Sequence, residues 1–131
     1  MESLIVLKKI ANEAINRIDD FPLPLVTFDD SSPHFEYEYE GIRCVLHKVF
    51  RSARSLKPPS IYYTLSTFVG DKQYQKPVQF WVLHPSMDPE VNRKALGKAL
   101  EKYRDQPTAA LGQFDLASES LLVSFLVCSS A

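Results

Sequence analysis

The chain has 131 residues, 45% apolar, 11% aromatic and 24% charged, and a formal net charge of −1. This length predicts one domain and the composition a packed core rather than disorder, while the near-zero charge excludes a globally basic nucleic-acid binder and an acidic solvating tail. The longest apolar run, Leu121 to Cys128, is broken by Ser124 and falls short of the roughly 20 residues a bilayer span requires, so no membrane partner is expected.

The opening MESLIVLKK lacks the basic-then-apolar order of a secretory signal. Cys44 and Cys128 both lie in apolar stretches, where a free cysteine behaves as a small buried hydrophobe. Together these features predict a reducing, cytoplasmic setting. With glycines only at 41, 70, 97 and 112, the chain has neither a Walker loop nor a dinucleotide fingerprint. His34, His47 and His84 are too widely spaced for a helix-borne metal pair, and CxxC, HExxH and GxSxG are absent. The expectation is therefore no cofactor, no metal and no catalytic residue.

Residues 2–18 form an amphipathic helix pattern, with Leu4, Leu7, Ala11, Ala14, Ile15 and Ile18 on one arc. Leu23 to Phe28 reads as a short edge strand, because Pro24 cannot donate to a ladder. In His34 to Phe50, Phe35, Tyr37 and Tyr39 alternate with Glu36, Glu38 and Glu40, Gly41 interrupts, and Ile42, Cys44 and Leu46 resume the alternation. That period of two predicts a hairpin whose register sets Tyr39 opposite Ile42, Glu38 opposite Arg43, Tyr37 opposite Cys44 and His34 opposite His47. An ion pair between Glu38 and Arg43 is expected.

A Ser/Pro-rich loop at 52–60 leads to a second hairpin, Ile61–Val69 and about Lys72–His84, in which Pro77 predicts an edge strand or a late start. Asp88 and Pro89 begin a helix over 89–105 as N-cap and first helical residue. Its apolar arc is Val91, Ala95, Leu96, Ala99, Leu100 and Tyr103, with Arg93, Lys94, Lys98 and Arg104 opposite. Thr108–Asp115 and Ser120–Cys128 read as a final strand pair. The expected fold is α+β, an antiparallel sheet of about five to seven strands with two main helices packed on it.

From Val91 to Val127 the chain shows a helix with Asn92 and spaced leucines, a turn with Pro107, then Gly112-Gln113-Phe114-Asp115 leading into an apolar strand. This pattern, with the opening helix and antiparallel strands, resembles the small α+β superfamily of class I type III secretion chaperones and YbjN-type proteins. The resemblance implies a dimeric, non-catalytic protein that holds an extended partner segment on exposed apolar patches. The chain departs from that pattern in residues 60–84, read as an extra hairpin, and in ending just past the last strand, where the family continues into a helix.

Charge is segregated: 19–40 carries seven acids and no lysine or arginine, and 41–70 carries Arg43, Lys48, Arg51, Arg54 and Lys57 and no acid. Arg51, Arg54 and Lys57 lack a predicted acidic neighbour and suit an acidic peptide or a phosphate backbone. Tyr62, Phe68, Phe80 and Trp81 are candidates for an aromatic surface; with Phe80 inward, Trp81 points outward. The expected function is a non-enzymatic protein-binding module (chaperone, adaptor or inhibitor) using Arg51, Arg54, Lys57, Tyr62 and Trp81. The alternative is a nucleic-acid binder using the basic 43–57 segment and Arg93, Lys94 and Lys98 of the second helix. A homodimer is expected, with Trp81 or the 120–127 strand near its interface, because the final strands leave an apolar edge that symmetric pairing covers.

Overall fold

The computed structural model describes residues 2–27, 34–57, 59–105, 114–115 and 124–127. Helix α1 covers Glu2–Asn16 and runs through a 3-10 turn at Ile18–Asp20 into a short helix α2, Leu23–Val26. Four strands follow, β1 His34–Tyr39, β2 Ile42–Arg51, β3 Ser60–Val69 and β4 Lys72–Leu83, and then helix α3, Pro89–Asp105. Strands β1 to β4 form an antiparallel sheet in sequence order. Short segments β5, Phe114–Asp115, and β6, Ser124–Val127, both pair with β4, the first parallel and the second antiparallel. The architecture is thus α+β, with an antiparallel sheet and two main helices.

The first hairpin has the predicted register: Tyr39 faces Ile42, Tyr37 faces Cys44 and His34 faces His47. Its two-residue turn holds Glu40 at φ 47° and Gly41 at φ 83°, the paired left-handed conformation that matches strand twist and that glycine adopts without strain. Alternation then sorts the side chains into two layers. Tyr37, Ile42, Cys44, Leu46, Ile61, Tyr63, Leu65, Val78, Phe80 and Val82 point inward and are buried with Ile10, Ala11 and Ala14 of α1 and Ala95, Leu96, Ala99, Leu100 and Tyr103 of α3. The α1 stripe is rotated slightly from the sequence reading, with Ile10 rather than Leu7 deep in the core.

The connection between α1 and β1 is held from α3. Arg93 is buried and its guanidinium donates to the carbonyls of Ile18 (3.1 Å) and Asp19 (2.8 Å). The neighbouring Asn92 donates to Val26 O (3.0 Å) and Ser86 O (2.8 Å) and accepts from Ser86 N (2.8 Å). On the opposite side of the connection, the fully buried Lys48 donates from Nζ to Thr27 O at 3.1 Å. Gly97 lets α3 approach this region closely, since a Cβ there meets Ile18 Cδ1 at 3.0 Å.

Several expectations are corrected. Leu23–Val26 is helical, not an edge strand: Pro24 sits in the first turn, where its missing N–H is harmless, and consecutive Leu25 and Val26 are both buried, as neighbouring positions of a helical turn allow. Pro77 lies within a β4 that begins at Lys72 rather than late. The described β6 pairs with β4 only from Val78 onward, so the stretch up to Pro77 has a described neighbour on the β3 side alone, as a proline at an edge allows. A register shift opposite Leu65 to Thr67 loosens the ladder where proline cannot donate. Glu38 faces Arg43, yet the guanidinium reaches diagonally to Glu36, at 2.8 Å. The described parts of the final strands pair with β4 and not with each other; Phe28, Pro107 and Cys128 lie outside the described residues.

Asp88 caps α3 as predicted, its Oδ1 accepting from Glu90 N at 3.0 Å.

Candidate outer-face binding surface

With both main helices on the inner layer, the other face of β1 to β4 has no described element over it. Alternation fixes what it displays. In successive rows across the strands lie Glu38, Arg43, Phe68 and Gln73; then Glu36, Val45 and Ser66; then His34, His47, Thr64 and Gln79; then Val49, Tyr62 and Trp81. The middle of the face is a broad, shallow depression of about 490 Å³ floored by Val45, Val49, Thr64 and Ser66. It is a surface for laying something along, not an enclosed pocket.

Aromatic rings and guanidinium groups mark its two ends. Tyr62 and Trp81 stack with centroids 4.6 Å apart and planes 28° from parallel. Arg51 approaches both rings, 5.6 Å from the Tyr62 centroid and 5.7 Å from that of Trp81, within cation–π range. Trp81 Nε1 donates to Gln79 Oε1 at 3.3 Å, which fixes the indole on the face. At the other end Arg43 lies 4.7 Å over the Phe68 ring while pairing with Glu36.

Beyond Arg51 the chain closes a tight turn. The backbones of Arg54 and Lys57 bond reciprocally, at 3.0 and 2.6 Å, and Ser55 takes φ 44°. Leu56 at the tip is 99% exposed. Neighbouring loops are joined by His84 N donating to Pro59 O at 3.0 Å.

Of the residues predicted from sequence, the fold therefore gathers Arg51, Tyr62 and Trp81 into one cluster and places Arg54 and Lys57 in the adjoining turn. None of these three cations has a carboxylate partner among the described residues. Phe68 joins the outer face, whereas Phe80 is fully buried against Tyr103, with ring centroids 5.6 Å apart.

The chain matches no family model, no curated protein and no solved structure.

Arg93, counted with Lys94 and Lys98 as an exposed basic set, is instead buried and engaged with backbone carbonyls. Its helix packs on the inner layer, so the α3 cations and the 51–57 cations do not share a face. Sequence reasoning missed Arg43 over Phe68 and the Val45, Val49 and Thr64 floor. The alternation around Arg43 carried part of that signal, but matching Arg43 to Phe68 requires the β2–β3 register, which no turn signal fixes.

Among the described residues no group of three or more His, Cys, Asp and Glu side chains is close enough to hold a metal ion. His34 Nε2 stands 4.0 Å from Glu36 Oε2, across from His47. Cys44 points into the core, where burial pushes its thiol up to about 11 and keeps it protonated at neutral pH.

Proposed function

We propose that the chain is a non-enzymatic protein-binding module, acting as a chaperone, adaptor or inhibitor, that holds an extended segment of a partner protein against the outer sheet face. The observation that carries this reading is the Arg51, Tyr62 and Trp81 cluster on a face that no described element covers. Tyrosine, tryptophan and arginine dominate binding hot spots because each supplies large contact area together with a polar handle. The shallow floor suits a chain lying flat, and the resemblance to secretion chaperones is in keeping with such an occupant. The free, buried Cys44 thiol supports a reducing, cytoplasmic site of action.

Arg51, Arg54 and Lys57, without carboxylate partners among the described residues, favour a second reading, contact with a phosphate backbone. The two differ in salt response, because phosphate binding releases counterions and weakens steeply with added salt. A photoreactive residue at Thr64, activated in cells, tests both. Protein adducts that vanish in the Tyr62→Ala/Trp81→Ala double variant support the module. Nucleic-acid adducts support the second reading, and adducts unaffected by the double variant count against both.

A further inference from the structure

We infer that the partner segment is bipolar: acidic where it crosses Arg51 and the Arg54–Lys57 turn, apolar over the middle of the face, and basic where it reaches the β1–β2 turn. This inference rests on the binding-module reading above and adds the chemistry of the occupant. At the first end, Arg51, Arg54 and Lys57 gather three cations without a described carboxylate partner. Asp88, in the loop after β4, is committed to capping α3. At the opposite end the balance reverses. Glu36 takes Arg43, and Glu38 and Glu40 are left exposed without a cation partner among the described residues. At the neighbouring turn Asp71 and Lys72 cancel in formal charge, and Lys76 lies further along β4.

Between these ends Val45 and Val49 flank His47 beside Thr64 and Ser66, all half-buried, and this floor carries no carboxylate, lysine or arginine. The nine residues from Arg43 to Arg51 span roughly 27 Å at the rise of an antiparallel strand, so an extended segment of about nine residues covers the face from end to end. A nucleic-acid strand fits this layout less well, because a uniform polyanion that follows the face runs into Glu38 and Glu40. Aligned charges of opposite sign give the segment one direction, since reversing it places like charges together at both ends.

Trp81 is the single tryptophan of the chain, so its fluorescence reports occupancy directly. The test selects displayed random ten-residue peptides on the full-length protein and titrates synthetic copies of the winners against that fluorescence. The expected consensus has Asp or Glu at one end, apolar residues in the middle and Lys or Arg at the other. Arg54→Glu/Lys57→Glu is expected to weaken these peptides at least tenfold, and a peptide with its acidic end changed to lysine is expected to regain affinity for that variant. The rescue distinguishes charge recognition from misfolding.

Winners without ordered charge overturn the bipolar segment and leave the binding module standing. Failure of every peptide to enrich or to change Trp81 fluorescence overturns both. A ten-nucleotide oligouridylate that alters Trp81 fluorescence in a strongly salt-dependent way also overturns both. A dimer lost on Trp81→Ala assigns the face to a second copy and overturns the inference.

Discussion

Tyr62 and Trp81 stand directly opposite each other on β3 and β4, rings stacked at 4.6 Å, and Arg51 from β2 comes within cation–π distance of both. Three strands thus meet in one exposed cluster that the core does not require. Cross-strand aromatic pairs contribute about 0.5–1.5 kcal/mol beyond their buried area. In a double-mutant cycle of Tyr62→Ala and Trp81→Ala, monitored by urea unfolding, a coupling energy in that range is expected. Additive single effects would show that the stack does not stabilise the sheet.

Tyr37 and Tyr63 lie two strands apart on the inner layer and respond oppositely to loss of their hydroxyls. Tyr37 OH donates to Ile10 O at 3.0 Å and ties β1 to α1. Tyr63 OH is fully buried and has no hydrogen-bond partner among the described residues. Tyr37→Phe removes this bond from a carbonyl that keeps its intrahelical partner and is expected to destabilise by about 0.5–1.5 kcal/mol, whereas Tyr63→Phe removes a polar group without a described partner and is expected to be neutral or stabilising by up to about 1 kcal/mol. Urea midpoints of the two variants check the signs; a clear loss in Tyr63→Phe would mean its hydroxyl has a partner.

The elements legible in the sequence were those with long, regular periodicity and local turn chemistry. Alternation across Phe35 to Leu46 with Glu40-Gly41 between its halves fixed the register of β1 with β2, and Asp88-Pro89 fixed the start of α3. The outward placement of Trp81 followed from Phe80 being inward. Leu23–Val26 was misread because four residues carry too little periodicity to separate a strand from one helical turn. Arg93 was misread because a long cation on a helix is ordinarily solvated, and only the tertiary approach of the Ile18–Asp20 carbonyls makes it a buried donor. The site was half legible for the same reason: Arg51, Tyr62 and Trp81 could be named singly, while their meeting depends on the β2–β3–β4 register.

Asn92 and Arg93, adjacent on α3, brace the segment that joins α1 to β1. Asn92→Ala removes two donated bonds and one accepted bond at a buried site and orphans the carbonyls of Val26 and Ser86. A loss of about 2–4 kcal/mol is expected, since each unsatisfied buried group costs about 1–3 kcal/mol and the effects are not additive. Because the bonds hold the connection rather than the sheet, hydrogen exchange is expected to rise first in residues 17–27, with β2 and β3 still protected. Uniform loss of protection across both regions argues against a local brace.

Stability is expected to fall on the alkaline side through four buried groups, Tyr37, Cys44, Tyr63 and Tyr103. Burial pushes up the phenols of Tyr37, Tyr63 and Tyr103, the last to about 12, and raises the Cys44 thiol to about 11. The ordinary values are 9.0 for the thiol and 10.0 for the phenols. In the folded protein these groups keep their protons to higher pH than in the unfolded chain. The unfolded state therefore binds fewer protons above pH 9 to 10, and the stability of the native state decreases as pH rises. Each group contributes about 1.4 kcal/mol per pH unit while only the unfolded form is ionised. Urea midpoints are expected to show no contribution from these four groups between pH 7 and 8, then a decline that begins near pH 9 and steepens above 10 as the tyrosines join. Tyr63→Phe is expected to reduce the slope above pH 10, and a midpoint unchanged to pH 11 would exclude buried tyrosines as the source of alkaline sensitivity.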